Sequence, residues 1–133
     1  MLIKDCDGRI NFIDKNDYYL GFDTEQDCCE DFGWAVYRKG EGNRETLLTM
    51  GTDTVGINDS ELLEGYTFPN NYMYEDGSFG DEYEDDYGSY VVFLAIHPTE
   101  PDVYICFTNS HNGYYYHIWD FKHNNQVIND GEI

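Results

Sequence analysis

Residues 75–88, EDGSFGDEYEDDYG, hold seven carboxylates and no base. Acids at this density can chelate a hard cation, exchange protons with a substrate, or attract a positively charged partner. Calcium needs roughly six to eight oxygens, and an EF-hand loop places its acids at alternate positions. From Asp81 the alternate positions are Tyr83, Asp85 and Tyr87, so that pattern fails and only an irregular calcium site stays open. Nothing sets two of the acids apart as an acid/base pair. The segment reads instead as a contact surface for a partner, made of Glu75, Asp76, Asp81, Glu82, Tyr83, Glu84, Asp85, Asp86 and Tyr87. Phe79, Tyr83 and Tyr87, spaced four apart, would pin an acidic loop to the body and leave its carboxylates in water.

Thiols and imidazoles form the second set. Cys28 and Cys29 are adjacent, which on a helix turns their side chains about 100° apart and makes a poor chelate. His111 and His117 flank an expected turn, but no Cys-x-x-Cys supports them. Cys28, Cys29, His111 and His117 are thus weak zinc candidates. Either cysteine with His111 or His117 and Asp120 has the ingredients of a nucleophilic site, although buried structural cysteine is the commoner arrangement. The chain has no glycine-rich phosphate loop, no Gly-x-Ser-x-Gly and no His-Glu-x-x-His. Neither a cofactor nor an enzymatic activity is expected.

The charge balance narrows the partners. Twenty-seven acids against 7 bases give a formal net charge of −20. Direct binding to nucleic-acid phosphate needs clustered Lys and Arg and is nearly excluded; anionic membranes are disfavoured for the same reason. A basic protein, or the nucleic-acid-binding groove of one, is the natural partner. The excess is spread over the chain: residues 1–33 carry nine acids against three bases, and residues 75–87 carry seven against none. The N-terminus has no apolar run of signal-peptide length, and the four cysteines show no framework spacing. A soluble cytoplasmic protein is expected, in the host cytoplasm if phage-encoded.

The elements that must position these groups are mostly strands. At 133 residues, 41% hydrophobic and 17% aromatic, the chain suits one acidic globular domain spanning 1–133. SYVVFLAIH (89–97) is an unbroken apolar run fit for a central strand. VYICFTN (103–109) and YYYHIWDF (114–121) follow, joined by SHNG (110–113), whose Asn112-Gly113 is a hairpin signal. KHNNQ (122–126) turns into a short fourth strand. RINFID and YYLGFD are two strands joined by KND, and WAVYR is another. Thr24 with Asp27 resembles a capping box and Gly33 a stop, predicting a short helix over 25–32. SELLEG suits one helical turn, and YTFPNNYMY an edge strand interrupted by Pro69.

QDCCE (26–30) and NSHNGYYYH (109–117) resemble a family of small uncharacterised domains found in bacteria and their phages. The resemblance covers roughly residues 10–133 and implies a β-rich fold marked by Cys28, Cys29, His111, Gly113 and His117. It implies no activity, although a phage link favours a host-directed inhibitor.

The sequence therefore predicts a β-rich α+β fold, an antiparallel meander of 89–96, 103–109 and 114–121 with the 25–32 helix packed on it. The expected function is inhibition of a basic nucleic-acid-handling protein by charge mimicry, as in a phage-encoded anti-CRISPR or anti-restriction protein. The alternatives are a metal-binding or cysteine-dependent domain, and a structural or immunity-type interaction domain.

Overall fold

Apolar residues recur at every second position along much of the chain, and such runs form strands. The structure, a computed structural model, describes residues 1–5, 8–25, 31–40, 45–51, 63–80, 88–110 and 117–133. Ten strands lie within them. The first five are β1 (Leu2–Asp5), β2 (Arg9–Ile13), β3 (Tyr18–Asp23), β4 (Asp31–Lys39) and β5 (Glu45–Gly51). The others are β6 (Met73–Phe79), β7 (Gly88–Ala95), β8 (Val103–Ser110), β9 (Ile118–His123) and β10 (Gln126–Glu132). They pair antiparallel into two five-stranded sheets, ordered β1-β2-β3-β9-β10 and β5-β4-β8-β7-β6.

Aromatic rings fill the space between the sheets. Phe12 of β2 meets Trp34 of β4 edge-on at 5.7 Å, and Phe22 of β3 stacks on Phe107 of β8 at 4.3 Å. Phe93 of β7 meets Trp119 of β9 at 5.0 Å. The two strand orders thus run alongside one another, as in an aligned β-sandwich. Phe12, Phe22, Phe93, Phe107 and Phe121 are each fully buried, and each such ring contributes roughly 2 kcal/mol of hydrophobic stabilisation before chain entropy is counted.

Residues 66–72 close one end. Phe68 and Tyr72 pack against Phe121 at 5.1 and 3.9 Å, Thr67 bridges to Ile96, and the Tyr66 hydroxyl donates to the Pro101 carbonyl at 2.6 Å. The buried carboxylate of Asp14 fastens this segment to the β2–β3 turn. Its Oδ1 accepts from the Asn16 and Tyr18 N–H groups, and its Oδ2 from the Phe68 N–H at 3.0 Å. The β9–β10 turn uses Asn124 and Asn125 at φ 50° and 66°, the left-handed pair that a two-residue hairpin requires.

The α+β expectation is overturned: the described residues are strands and turns, with no α-helix packed on a sheet. Residues 26–30 of the expected 25–32 helix lie outside the described residues, but Asp31 and Phe32 already belong to β4. The β4 ladder runs against β8 from Asp31↔Ser110 to Arg38↔Val103, and Phe32, Trp34 and Val36 are buried at spacing two. That ladder and burial outweigh a local capping signal. Thr24 continues the β-pairing instead, its N–H donating to the Gly8 carbonyl at 2.7 Å.

The meander is also corrected. β7 and β8 pair as expected, but β9 lies in the other sheet between β3 and β10. Residues 111–116, including the Asn112-Gly113 turn, lie outside the described residues; the strands flanking them form no hairpin with each other. Crossing over lets Trp119 and Phe121 face the aromatic interior. SELLEG is described only from Leu63, at a turn closed by Tyr66 N–H to the Leu63 carbonyl. Of YTFPNNYMY, only Met73 and Tyr74 are in the edge strand β6. Among the described residues no helix is long and apolar enough to cross a membrane.

Candidate partner-binding edge

Among the described strands β6 is an outer one, hydrogen-bonded to β7 alone. The first residues of the acidic run are therefore strand rather than loop, a correction to the sequence reading: Glu75–Phe79 pair with Val92–Gly88. The register shifts between Met73 and Glu75, a bulge of the kind that discourages further strand pairing. Glu75 lies opposite Val92 on the outer face, where its Oε1 accepts the Tyr90 hydroxyl at 2.8 Å. The pKa of Tyr90 is raised above the ordinary 10, first because it donates to that carboxylate, then by partial desolvation and the nearby charges of Glu75 and Asp76. Gly77 lies under the same tyrosine: a Cβ there would come within 3.0 Å of its hydroxyl oxygen.

Asp76 lies opposite Val91, whose side chain is in the core, so this acid sits on the inward-facing side at the rim of the sandwich. Across from it runs β10, the outer strand of the other sheet, with Asp130 and Glu132. A cleft of about 310 Å³ separates the two edges, lined by Asp76, Ser89, Trp119, Asp130 and Glu132 among others. Gly131 lets the β10 backbone lie against the indole; a Cβ there would be 2.6 Å from Trp119 Nε1.

Charge is sorted unevenly along the chain. Six of the seven bases fall within the first 44 residues, and residues 45–121 hold fifteen acids and no Lys or Arg. The seventh base, Lys122, lies 3.8 Å from Asp120, which Arg9 also pairs at 2.7 Å. β6, β7, β8 and β10 carry no base.

The chain matches no protein-family model, no curated protein and no solved structure. The resemblance of QDCCE and NSHNGYYYH gains no support there.

Of the expected contact residues, Glu75 and Asp76 stand exposed on β6. Asp81, Glu82, Tyr83, Glu84, Asp85, Asp86 and Tyr87 lie outside the described residues, as do Cys28, Cys29 and His111. The strand ends that bracket these segments form one row across the sheet, from Asp31 through Ser110 and Gly88 to Phe79. His117 is buried. Its Nδ1 lies 2.8 Å from the Asp23 carbonyl, so it carries the proton and donates, and its ring stacks on Phe32 at 4.1 Å. Among the described residues no group of three or more His, Cys, Asp or Glu is placed to hold a metal ion. Sequence reasoning missed Tyr90, Asp130 and Glu132. The long base-free run was a usable signal; the meeting of β6 and β10 was not visible without the sheet orders.

Proposed function

We propose that this chain binds and inhibits a basic, nucleic-acid-handling protein by occupying its nucleic-acid groove with a carboxylate-rich edge. One observation carries the reading: fifteen acids without a base over residues 45–121, with Glu75 and Asp76 on one open sheet edge and Asp130 and Glu132 across a narrow cleft. Same-face residues along a strand repeat at about 6.6 Å. Duplex DNA carries one charge per about 1.7 Å of axis, so acids on two neighbouring sheet edges and an acidic connection approach that density better than one strand does. A rigid sandwich holds such charges without paying the ordering entropy of a floppy acidic tail. The field steers a basic partner in, and added salt screens it.

The test is capture of basic proteins from a bacterial lysate on the immobilised chain, compared with a variant carrying E75Q, D76N, D130N and E132Q with D81N, E82Q, E84Q, D85N and D86N. The wild type should retain nucleic-acid-binding proteins that elute with duplex DNA or added salt. The variant should fold and retain far less, chiefly through slower association. Retention unchanged by neutralisation and insensitive to DNA would refute the proposal.

A further inference from the structure

The outer faces of the two sheets differ in kind. On the β2-β3-β9 face the outward positions include Arg9 and Asp120, paired at 2.7 Å, with Lys122 beside them. On the β4-β8-β7-β6 face the registers place Tyr37 beside Tyr104, Tyr104 beside Leu94, Val92 beside Glu75, and Tyr90 beside Gly77. Tyr74, at the bulge, lays its ring 4.7 Å from that of Tyr104. Of these side chains only Glu75 is charged; at the far end of the face, the exposed Lys39 follows Tyr37 on the same side of β4. Tyr104 is buried at 5% exposure, whereas Tyr74 is 54% exposed and Tyr37, Tyr90 and Val92 are half-buried. A protein of net charge −20 has no solubility reason to leave phenol rings in place of charges on one sheet face.

We infer that this face is a docking platform for an arginine-rich segment, with Tyr74 and Tyr90 stacking guanidinium groups and Glu75 pairing with them. The inference rests on the proposed reading that the partner is basic, and it names what that partner presents. Three features select arginine. Three of the four strands, β6, β7 and β8, come from the base-free stretch, so nothing on them repels a cation. A guanidinium is planar and weakly hydrated, and it stacks on a phenol face while its N–H fork pairs a carboxylate; a lysine ammonium does this less well. Glu75 is held in place by one hydrogen bond from Tyr90, and an ionised carboxylate with one bond still has acceptor capacity for a guanidinium.

The experiment uses labelled nona-arginine and nona-lysine, read by fluorescence anisotropy at physiological salt. The wild type should bind the arginine peptide about ten-fold more tightly than the lysine peptide. Tyr74→Ser should bring that ratio close to one while leaving lysine-peptide affinity unchanged, and Tyr74→Trp should restore or exceed it. Glu75→Gln should lower arginine-peptide binding without unfolding the chain, checked by its urea midpoint. Equal binding of both peptides, each lost on adding salt, would overturn the platform and leave the charge reading standing. Failure to bind either peptide would remove both. Retention on an insoluble polysaccharide, lost in Tyr74→Ser, would mean that the rings serve a sugar, and would overturn the inference.

Discussion

Asp14 is the buried acid among the described residues, and its removal should be felt in the fold and not in binding. Its carboxylate, 4% exposed, accepts three backbone N–H groups: Asn16 at 2.9 Å, Tyr18 at 3.0 Å and Phe68 at 3.0 Å. The first two close the β2–β3 turn. The third, 54 residues away, holds the segment that leads into β6. In Asp14→Asn the amide oxygen can serve only one side. Keeping the turn puts the NH₂ against the Phe68 N–H, and that buried donor is left unsatisfied at a cost of about 1–3 kcal/mol. Loss of charge assistance in the other two bonds adds about 0.5 kcal/mol each. The expected total is about 3 kcal/mol, a large part of a typical domain stability of about 5–15 kcal/mol.

Urea unfolding followed by tryptophan fluorescence would measure it. With a slope of about 1.5–2 kcal/mol per molar, the midpoint of Asp14→Asn should fall by about 1.5–2 M, and Asp14→Ala should fall further. Binding per folded molecule should be unchanged, because this carboxylate is already committed to the backbone. A loss in Asp14→Asn of less than about 0.5 kcal/mol at constant slope would show that the three bonds do not act together, and would refute the reasoning.

Glu75→Gln should bring the Tyr90 titration back toward the ordinary tyrosine value, seen by ultraviolet difference titration against Tyr90→Phe as the blank for one of the 13 tyrosines. The raised folded pKa means that this contact stabilises fully below pH about 10 and is lost as pH rises through the folded value. In that alkaline window the wild type should therefore lose stability more steeply than Glu75→Gln; parallel curves would count against the pair. His117→Ala should cost about 3 kcal/mol through the lost Phe32 stack and the orphaned Asp23 carbonyl. Chelator should not move the wild-type melting temperature; a fall on chelation that His117→Ala abolishes would make His117 a ligand after all.

What could be read in advance was local. Ile10 and Phe12, then Leu20 and Phe22, alternate cleanly on either side of a short turn, and they form the β2–β3 hairpin. The apolar run at 89–97 became β7 beside β8, and Asn124-Asn125 made its turn. What failed was decided at a distance. Thr24 and Asp27 are a sound capping signal, but Phe32 and Trp34 are worth more against β8 and the facing sheet than a helical turn is worth alone. SHNG is a sound hairpin signal, yet Trp119 and Phe121 are buried only when β9 crosses to the other sheet. Asp14 looks like any other of the 27 acids until Phe68 is brought beside it. Tyr90 and Glu75 meet through a register that includes a bulge, and no periodicity in the sequence encodes that.

The acids thus divide by what the fold has done with them. Asp14 is committed to backbone N–H groups, Asp23 caps the Glu25 N–H at 3.0 Å, and Asp120 is shared by Arg9 and Lys122. These stabilise the fold and add little to the outward field. Glu75, Asp76, Asp130 and Glu132 lie on the two outer strands that face each other across the cleft. Asp130 and Glu132, two residues apart on β10, are spaced by about 6.6 Å, within a Debye length of about 8 Å at physiological salt, so an approaching cation feels them together. The same placement deters the open edges of β6 and β10 from pairing with another copy, since like charges would be brought into register. Self-repulsion is opposed by the core of aromatic rings packed between the two sheets. An acidic edge that prevents aggregation in the free protein is also the surface that a basic groove or an arginine-rich segment would neutralise on binding.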